Sequence, residues 1–114
     1  MRLADHGIDW HDGNLVDVHV AGLPGSKQTV RLFVDLYPDE EGALQRKRYV
    51  CTGEGLTRIL FVGETGRIRK HSKSGNIDFM RVETGADTEI LTVTLFGGVI
   101  EAEAQRFNLT EAAK

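Results

Sequence analysis

The most constraining feature of this sequence is a stretch of alternating apolar and polar residues, interrupted by a glycine pair, near its carboxyl end. It runs E-I-L-T-V-T-L-F-G-G-V-I-E-A-E-A-Q over residues 89–105. A Gly-Gly pair supplies the positive φ values that a two-residue hairpin turn needs, so a turn at Gly97 and Gly98 is predicted. Counting outward from that turn sets Phe96 opposite Val99. The same count pairs apolar residues across the hairpin: Leu95 with Ile100, Val93 with Ala102 and Leu91 with Ala104.

The two faces of this hairpin are cleanly separated, because Thr94 then meets Glu101 and Thr92 meets Glu103 on the other side. A slip of one residue would place Leu95 against Glu101 and turn every side chain to the wrong face. The hairpin is therefore predicted to cover a core with one face and to meet water with the other.

Period-2 alternation recurs elsewhere between turn residues and predicts further strands. The clearest is Thr29–Leu36, whose inner face carries Val30, Leu32, Val34 and Leu36, while Phe33 lies on the outer face with Arg31 and Asp35.

We expect residues 15–20 to form a half-buried strand with Val16, Val18 and Val20 inward. Residues 45–52 should form a strand whose first half is at a sheet edge, and residues 58–62 another, with 66–70 as a candidate extension. Residues 76–83 carry apolar side chains on both faces, with Ile77 and Phe79 on one face and Met80 and Val82 on the other. This pattern favours a central position in a sheet.

The alternation changes phase after the hairpin, since Phe107 and Leu109 continue the polar side of Gln105. Either a bulge at Arg106 rotates the strand, or its end meets a second layer. No helical pattern of useful length is present, and residues 37–44 and 71–76 have turn composition. The prediction is an all-β fold of six to eight strands, a two-layer antiparallel sandwich or partly open barrel with little or no helix.

Length and composition limit the functional classes. A chain of 114 residues is one domain, residues 1–114, and its 14 Lys and Arg against 17 Asp and Glu leave a net charge of −3, which disfavours nucleic acid as the main partner. Cys51 is the one cysteine, so no internal disulfide forms. We find no signal peptide and no apolar run of membrane-spanning length. The expectation is a cytoplasmic protein without a membrane association.

The histidines and the single cysteine are the candidates for a catalytic or metal-binding site. His11 and Asp12 could combine with His19 in a metal-assisted enzyme site, yet the four histidines are not at zinc-ligand spacing. Cys51 sits in an apolar run, where a thiol is normally inert. No glycine-rich phosphate-binding motif is present. We therefore predict no catalytic residues, no metal and no cofactor, and keep the His11, Asp12 and His19 enzyme as an alternative.

Two basic runs raise a second alternative, a nucleic-acid-binding module of the barrel type. One run is Arg46, Lys47 and Arg48; the other comprises Arg67, Arg69, Lys70, His71 and Lys73. Cations with interleaved aromatics bind single strands. The aromatic interleaving is missing here, and charge runs generally mark solvated surface.

Three aromatic residues are relevant to a binding face. Trp10 precedes the first strand, where a tryptophan most often closes one end of a sandwich and less often contacts a ligand. Phe33 and Phe96 fall on nominally polar faces, so a partner or a second copy is expected to cover them. The candidate binding residues are Trp10, His11, Asp12, Phe33, Arg67, Arg69 and Lys70.

A family resemblance adds to this reading. The Trp10-His11-Asp12 segment followed by a strand, then Gly75-Asn76-Ile77 and the Gly97-Gly98 hairpin with Ile100, resembles small bacterial β proteins that open on a [W/F]-H-D segment. Some of these are classed as immunity proteins of toxin systems. The resemblance implies one compact β domain that binds a protein rather than one that turns over a substrate, and an immunity-type inhibitor of a toxin is one form of such a domain.

Overall fold

The computed structural model describes residues 1–5, 7–22, 27–38, 45–63 and 76–112, and it contains eight strands there. The strands are β1 (Asn14–Ala21), β2 (Thr29–Leu36), β3 (Lys47–Glu54), β4 (Arg58–Gly63), β5 (Ile77–Thr84), β6 (Glu89–Leu95), β7 (Gly98–Ala104) and β8 (Arg106–Glu111). They form two antiparallel four-stranded sheets, sheet A in the order β1-β2-β3-β8 and sheet B in the order β4-β7-β6-β5. The only helical element in the described residues is a 3-10 turn, Leu3–Asp5. The all-β prediction is confirmed.

The two sheets are joined along one side by a bent pair of strands. Glu54 pairs with Arg106 in sheet A, and four residues later Arg58 pairs with Glu103 in sheet B. The backbone bonds continue through the bend, because Gln105 N donates to Glu54 O at 2.9 Å and Thr57 N donates to Glu103 O at 2.8 Å. Strands that switch sheets at such corners are typical of orthogonal sandwiches and barrels.

This corner explains the phase change after the hairpin. Gln105 is the break between β7 and β8, and beyond it Phe107 and Leu109 are buried in the other sheet. The sequence predicts either a bulge at Arg106 or a strand end that meets a second layer. The structure confirms the second explanation, because β8 belongs to the other sheet. Gly55 provides the bend on the facing chain, since its φ of +66° lies in the left-handed region that suits glycine.

A second seam connects the outer strands of the two sheets. Asn14, at the start of β1, forms an isolated bridge with Asn76, just before β5. Ile77 N donates to Gly13 O at 2.8 Å, and Asp12 N donates to Ile77 O at 3.1 Å. The architecture is thus a sandwich with barrel-like closure at two places.

The N-terminal segment covers the edge of β8. Leu109 N donates to Met1 O at 2.8 Å, and Arg2 forms a bridge with Asn108. Leu3 and Trp10 are then buried in the core, at 1% and 2% exposure. The interior position predicted for Trp10 is what the structure shows.

The core lies between the sheets and follows the alternation where strands are regular. Every inward residue predicted on β2 is buried, and so are those of the hairpin: Leu91, Val93, Leu95, Ile100, Ala102 and Ala104. Burying a Leu or Val side chain contributes about 1.5–3 kcal/mol relative to exposure, so these faces dominate the stability of the fold.

The predicted hairpin register is wrong by two residues. The turn residues are Phe96 and Gly97, and Leu95 pairs with Gly98, Val93 with Ile100 and Leu91 with Ala102. Because the shift is even, each side chain keeps its predicted face. Gly98 is a strand residue that pairs with Gly63 of β4, and an added Cβ would collide with the Val62 carbonyl oxygen.

The predicted inner face of β1 is also partly wrong. The register shifts between Leu15 and Asp17, so Val16 is a bulge residue and Leu15 takes the buried position. Val16 and Val20 are 43% and 51% exposed, and Val18 is half-buried. Since β1 is the edge of sheet A, its inward residues are covered from one side only.

The predicted positions of two other strands are reversed. β5 is an edge strand of sheet B instead of a central one, whereas β3 lies inside sheet A between β2 and β8 instead of at an edge. A bulge at Asp78 explains the apolar pattern of β5, because it sends Ile77 inward and Phe79 outward. The strand at 58–62 is confirmed as β4. The predicted extension at 66–70, and most of the loop at 37–44 and the turn at 71–76, lie outside the described residues.

Candidate functional site

His11 lies in an exposed acidic cluster where the N-terminal segment meets β5. Its Nδ1 is 2.7 Å from the backbone carbonyl oxygen of Asp78, and its Nε2 is 3.6 Å from Asp12 Oδ1. The hydrogen bond to the Asp78 carbonyl, followed by the charge of Asp12, raises the pKa of His11 above its ordinary value of 6.5. His11 N also donates to Asp9 Oδ1 at 2.9 Å. These contacts fasten the N-terminal segment onto the β5 edge.

His19 does not join this cluster. His19 lies five residues beyond Asn14 along β1, so about 17 Å of strand separates the two residues. Its Nε2 contacts Asp17 Oδ2 at 2.9 Å. Within the described ranges, no group of three or more His, Cys, Asp or Glu is arranged to hold a metal ion. The structure therefore brings His11 and Asp12 together but not His19 with them.

Cys51 is fully buried on the inner face of β3. Burial, and to a lesser degree the charge of Glu89, raises the pKa of its thiol to about 12. Because the thiolate is the nucleophile, this thiol is unreactive at neutral pH.

The first basic run is engaged in internal contacts. Arg46 donates to the Asp12 carbonyl oxygen from Nη2 at 2.7 Å and from Nε at 3.1 Å, and its guanidinium stacks 5.3 Å from the centre of the Tyr37 ring. Arg48 pairs with Asp35, which raises the pKa of the guanidinium further. Residues Arg67, Arg69 and Lys70 of the second run lie outside the described residues.

Other arginines in the described residues are paired with carboxylates as well. These pairs are Arg58 with Glu101 at 3.0 Å, Arg81 with Glu83 at 3.1 Å, Arg106 with Glu54 at 3.4 Å and Arg2 with Glu89 at 3.1 Å. Such pairing lowers the positive potential that a phosphate backbone would meet.

Phe33 lies on the outer face of sheet A, as predicted, and it is half-buried there. The His19 ring tilts against it with centroids 5.1 Å apart and an interplanar angle of 60°. Phe33 and Val50 form the floor of a shallow groove whose sides include Arg31, Thr52 and Thr110. The apolar part of this face is therefore small and already partly covered.

A larger apolar surface lies on the outer face of sheet B and was not predicted as a unit. Phe79 is 47% exposed, Phe96 61%, Val62 52% and Leu60 47%, while Val99 is half-buried. We call these five residues the outer apolar patch. The strand register relates three of them, because Phe79, Val99 and Val62 share one row across the sheet, with Thr94 of β6 between Phe79 and Val99. Leu60 lies in the next row of the same face, and Phe96 lies in the β6–β7 turn.

Two rows that contain charged residues follow this apolar row, one after the other, toward the sheet corner. The first consists of Arg81, Thr92, Glu101 and Leu60, and the second of Glu83, Ile90, Glu103 and Arg58. The outer face of sheet B thus changes from apolar, at the Phe96 turn, to charged, toward the sheet corner.

A cavity near the β5–β6 turn contains the one buried charged residue found in the described part of the chain, Glu89. Glu89 Oε1 accepts a hydrogen bond from Phe107 N at 2.9 Å and pairs with Arg2 Nη2 at 3.1 Å. The Glu89 carboxylate therefore binds both the N-terminal segment, through Arg2, and β8, through Phe107.

Comparison with protein-family models, with curated proteins and with solved structures finds no match to this chain. The described residues include no helix with the length and apolar character needed to span a membrane.

Proposed function

We propose that this protein is a non-catalytic protein-binding domain that docks through the outer apolar patch. The observation that carries the proposal is the exposure of Phe79, Val62 and Leu60 on one face of one sheet, together with the exposure of Phe96 at the adjoining turn. Contiguous exposed apolar surface marks interaction sites in folded proteins, whereas scattered apolar residues do not.

The composition of the patch supports a protein as its partner. Two phenylalanines provide large rigid contact areas, and Val99 of β7 with Val62 and Leu60 of β4 adds aliphatic area on the same face as Phe79. Aromatic residues dominate interface energetics, and a flat sheet face suits a protein surface better than a small molecule, which needs a concave site.

Inhibition of a toxin, the activity implied by the family resemblance, is one specific form of this proposal. The net charge of −3 would favour encounter with a cationic partner, such as an enzyme that acts on nucleic acid. The nucleic-acid and enzyme alternatives have weaker support, because Arg46 and Arg48 are internally engaged and His19 is remote from His11.

Affinity capture from the native host tests the proposal. Phe79→Ser together with Phe96→Ser should remove the captured proteins that bind to the wild-type chain. Val20→Ser is the matched control, since Val20 is similarly exposed, at 51%, but lies on the other sheet. Equal capture by the patch variant and the wild type, with both folded by circular dichroism, would refute the proposal.

A further inference from the structure

We infer that a second copy of this chain covers the outer apolar patch, with the two sheet B faces packed together about a twofold axis parallel to the strands. This inference rests on the proposed function and specifies the occupant of the same surface. A twofold interface requires a surface that is complementary to itself.

The apolar row meets this requirement. Rotation about an axis parallel to the strands reverses the strand order but keeps each row at its own level. The apolar row of one copy therefore faces the same row of the other copy, with the strands in the opposite order. Phe79 then opposes Val62 of the other copy, and Thr94 opposes Val99. Each large aromatic side chain packs on a smaller aliphatic one.

The rows that contain charged residues are also complementary to themselves under this rotation. The same rotation places Glu83 opposite Arg58 of the other copy, and it places Arg81 beside Glu101 of the other copy. Both Glu83 and Arg81 have side chains that are about three-fifths exposed, so they are available for contacts across an interface. Opposite charges therefore face each other at the level of Glu83 and Arg58, two rows from the level at which Phe79 and Val62 pack, and in the row between them Arg81 lies opposite Leu60 of the other copy.

The other in-plane twofold axis, perpendicular to the strands, lacks this complementarity. It would exchange the two ends of the sheet and place the apolar row against the row that contains Glu83 and Arg58. Phe79 would then face Glu83 and Val62 would face Arg58, so charged groups would lose water against apolar side chains, which is costly. The order of the rows thus selects one arrangement.

The size of the surface sets the expected affinity. Four strands at strand spacing and seven residues at strand rise give a face of roughly 450 Å². Two such faces bury roughly 900 Å², below the ~1,200 Å² at which standard stable interfaces begin. We therefore expect a concentration-dependent dimer with a dissociation constant on the order of 100 μM.

Sedimentation equilibrium over a concentration series, with charge-reversed variants, tests the inference. Glu83→Arg alone and Arg58→Glu alone place like charges opposite each other at two symmetric contacts, and each should weaken dimerisation about tenfold or more. An equimolar mixture of the two variants restores opposite charges at both contacts, and it should form a heterodimer with near wild-type affinity. Val20→Ser should dimerise as the wild type does.

The outcomes separate this inference from the proposed function. A wild-type chain that stays monomeric up to millimolar concentration would overturn the dimer and leave the capture experiment as the test of protein binding. A dimer that both charge reversals and Phe79→Ser leave unchanged would overturn the assigned surface. Rescue in the mixture cannot arise from misfolded variants, because misfolding of either chain would abolish it.

Discussion

Gly98 of β7 lies directly opposite Gly63 of β4, and a Cβ on Gly98 would collide with the Val62 carbonyl oxygen. The contact is between main-chain atoms, so a side chain at this position can be accommodated only if β4 moves. The glycine pair in the sequence therefore serves strand pairing at its second residue, and it contributes only its first residue to the turn.

Gly98→Ala should consequently destabilise the fold, by about 1–3 kcal/mol, the usual cost of forcing extra volume into a packed site. Gly85→Ala is the matched control, because the nearest atom to its Cβ would be Thr88 O at 3.3 Å and no positive φ is required there. Urea denaturation measures both variants. Equal stability of the two would show that β4 does not pack against Gly98 as described.

The Arg2–Glu89 pair should matter more than the other arginine pairs. Arg2→Ala leaves the Glu89 carboxylate, which is 1% exposed, without its cationic partner, and we expect a loss of about 1–3 kcal/mol in the free energy of unfolding. Arg81→Ala removes a pair in which both side chains are exposed, and it should cost less than about 1 kcal/mol. If both substitutions cost the same, the N-terminal segment is not held by Glu89.

His11 provides a pH-dependent contribution. Because its pKa is raised in the folded state, protonation stabilises the fold below pH 6.5, and this contribution is lost as the pH rises through the folded pKa. An NMR titration of the imidazole should give a midpoint above 6.5, lowered but not abolished by Asp12→Asn, since the hydrogen bond to the Asp78 carbonyl is the larger cause. A midpoint at or below 6.5 in the wild type would contradict the geometry of the cluster.

Cys51 should resist alkylation in the native state. With a thiol pKa of about 12 and complete burial, iodoacetamide at pH 8 should modify it only after unfolding. Mass spectrometry of samples treated across a denaturant series measures this. Rapid modification of the folded protein would show that β3 is more accessible than the structure indicates.

The sequence predicts the faces of β2, β6 and β7 correctly because these strands keep an unbroken period of two. It fails where a single residue interrupts the period. The bulges at Val16 and Asp78 depend on pairing with β2 and β6, and nothing in the local pattern marks them. The role of Gly98 likewise depends on β4, more than 30 residues earlier in the chain.

The candidate site was predictable only in part, for the same reason. Phe96 stands out in the sequence as an apolar residue on a polar face. The alternation places Phe79 on the same face as Ile77, and the Asp78 bulge separates the two. Leu60 and Val62 join the patch only through the pairing of β4 with β7. A surface built from neighbouring strands that are distant in sequence becomes visible only once the strand order is known.

Photo-cross-linking inside the native host tests the protein-binding claim most directly. A photoreactive phenylalanine analogue at position 79 lies within the outer apolar patch, and the same analogue at position 20 lies on the exposed edge strand of sheet A. We predict a discrete covalent adduct with a protein, either foreign or of this chain's own mass, from position 79 and none from position 20. No adduct from position 79, or the same adducts from both positions, would contradict the claim.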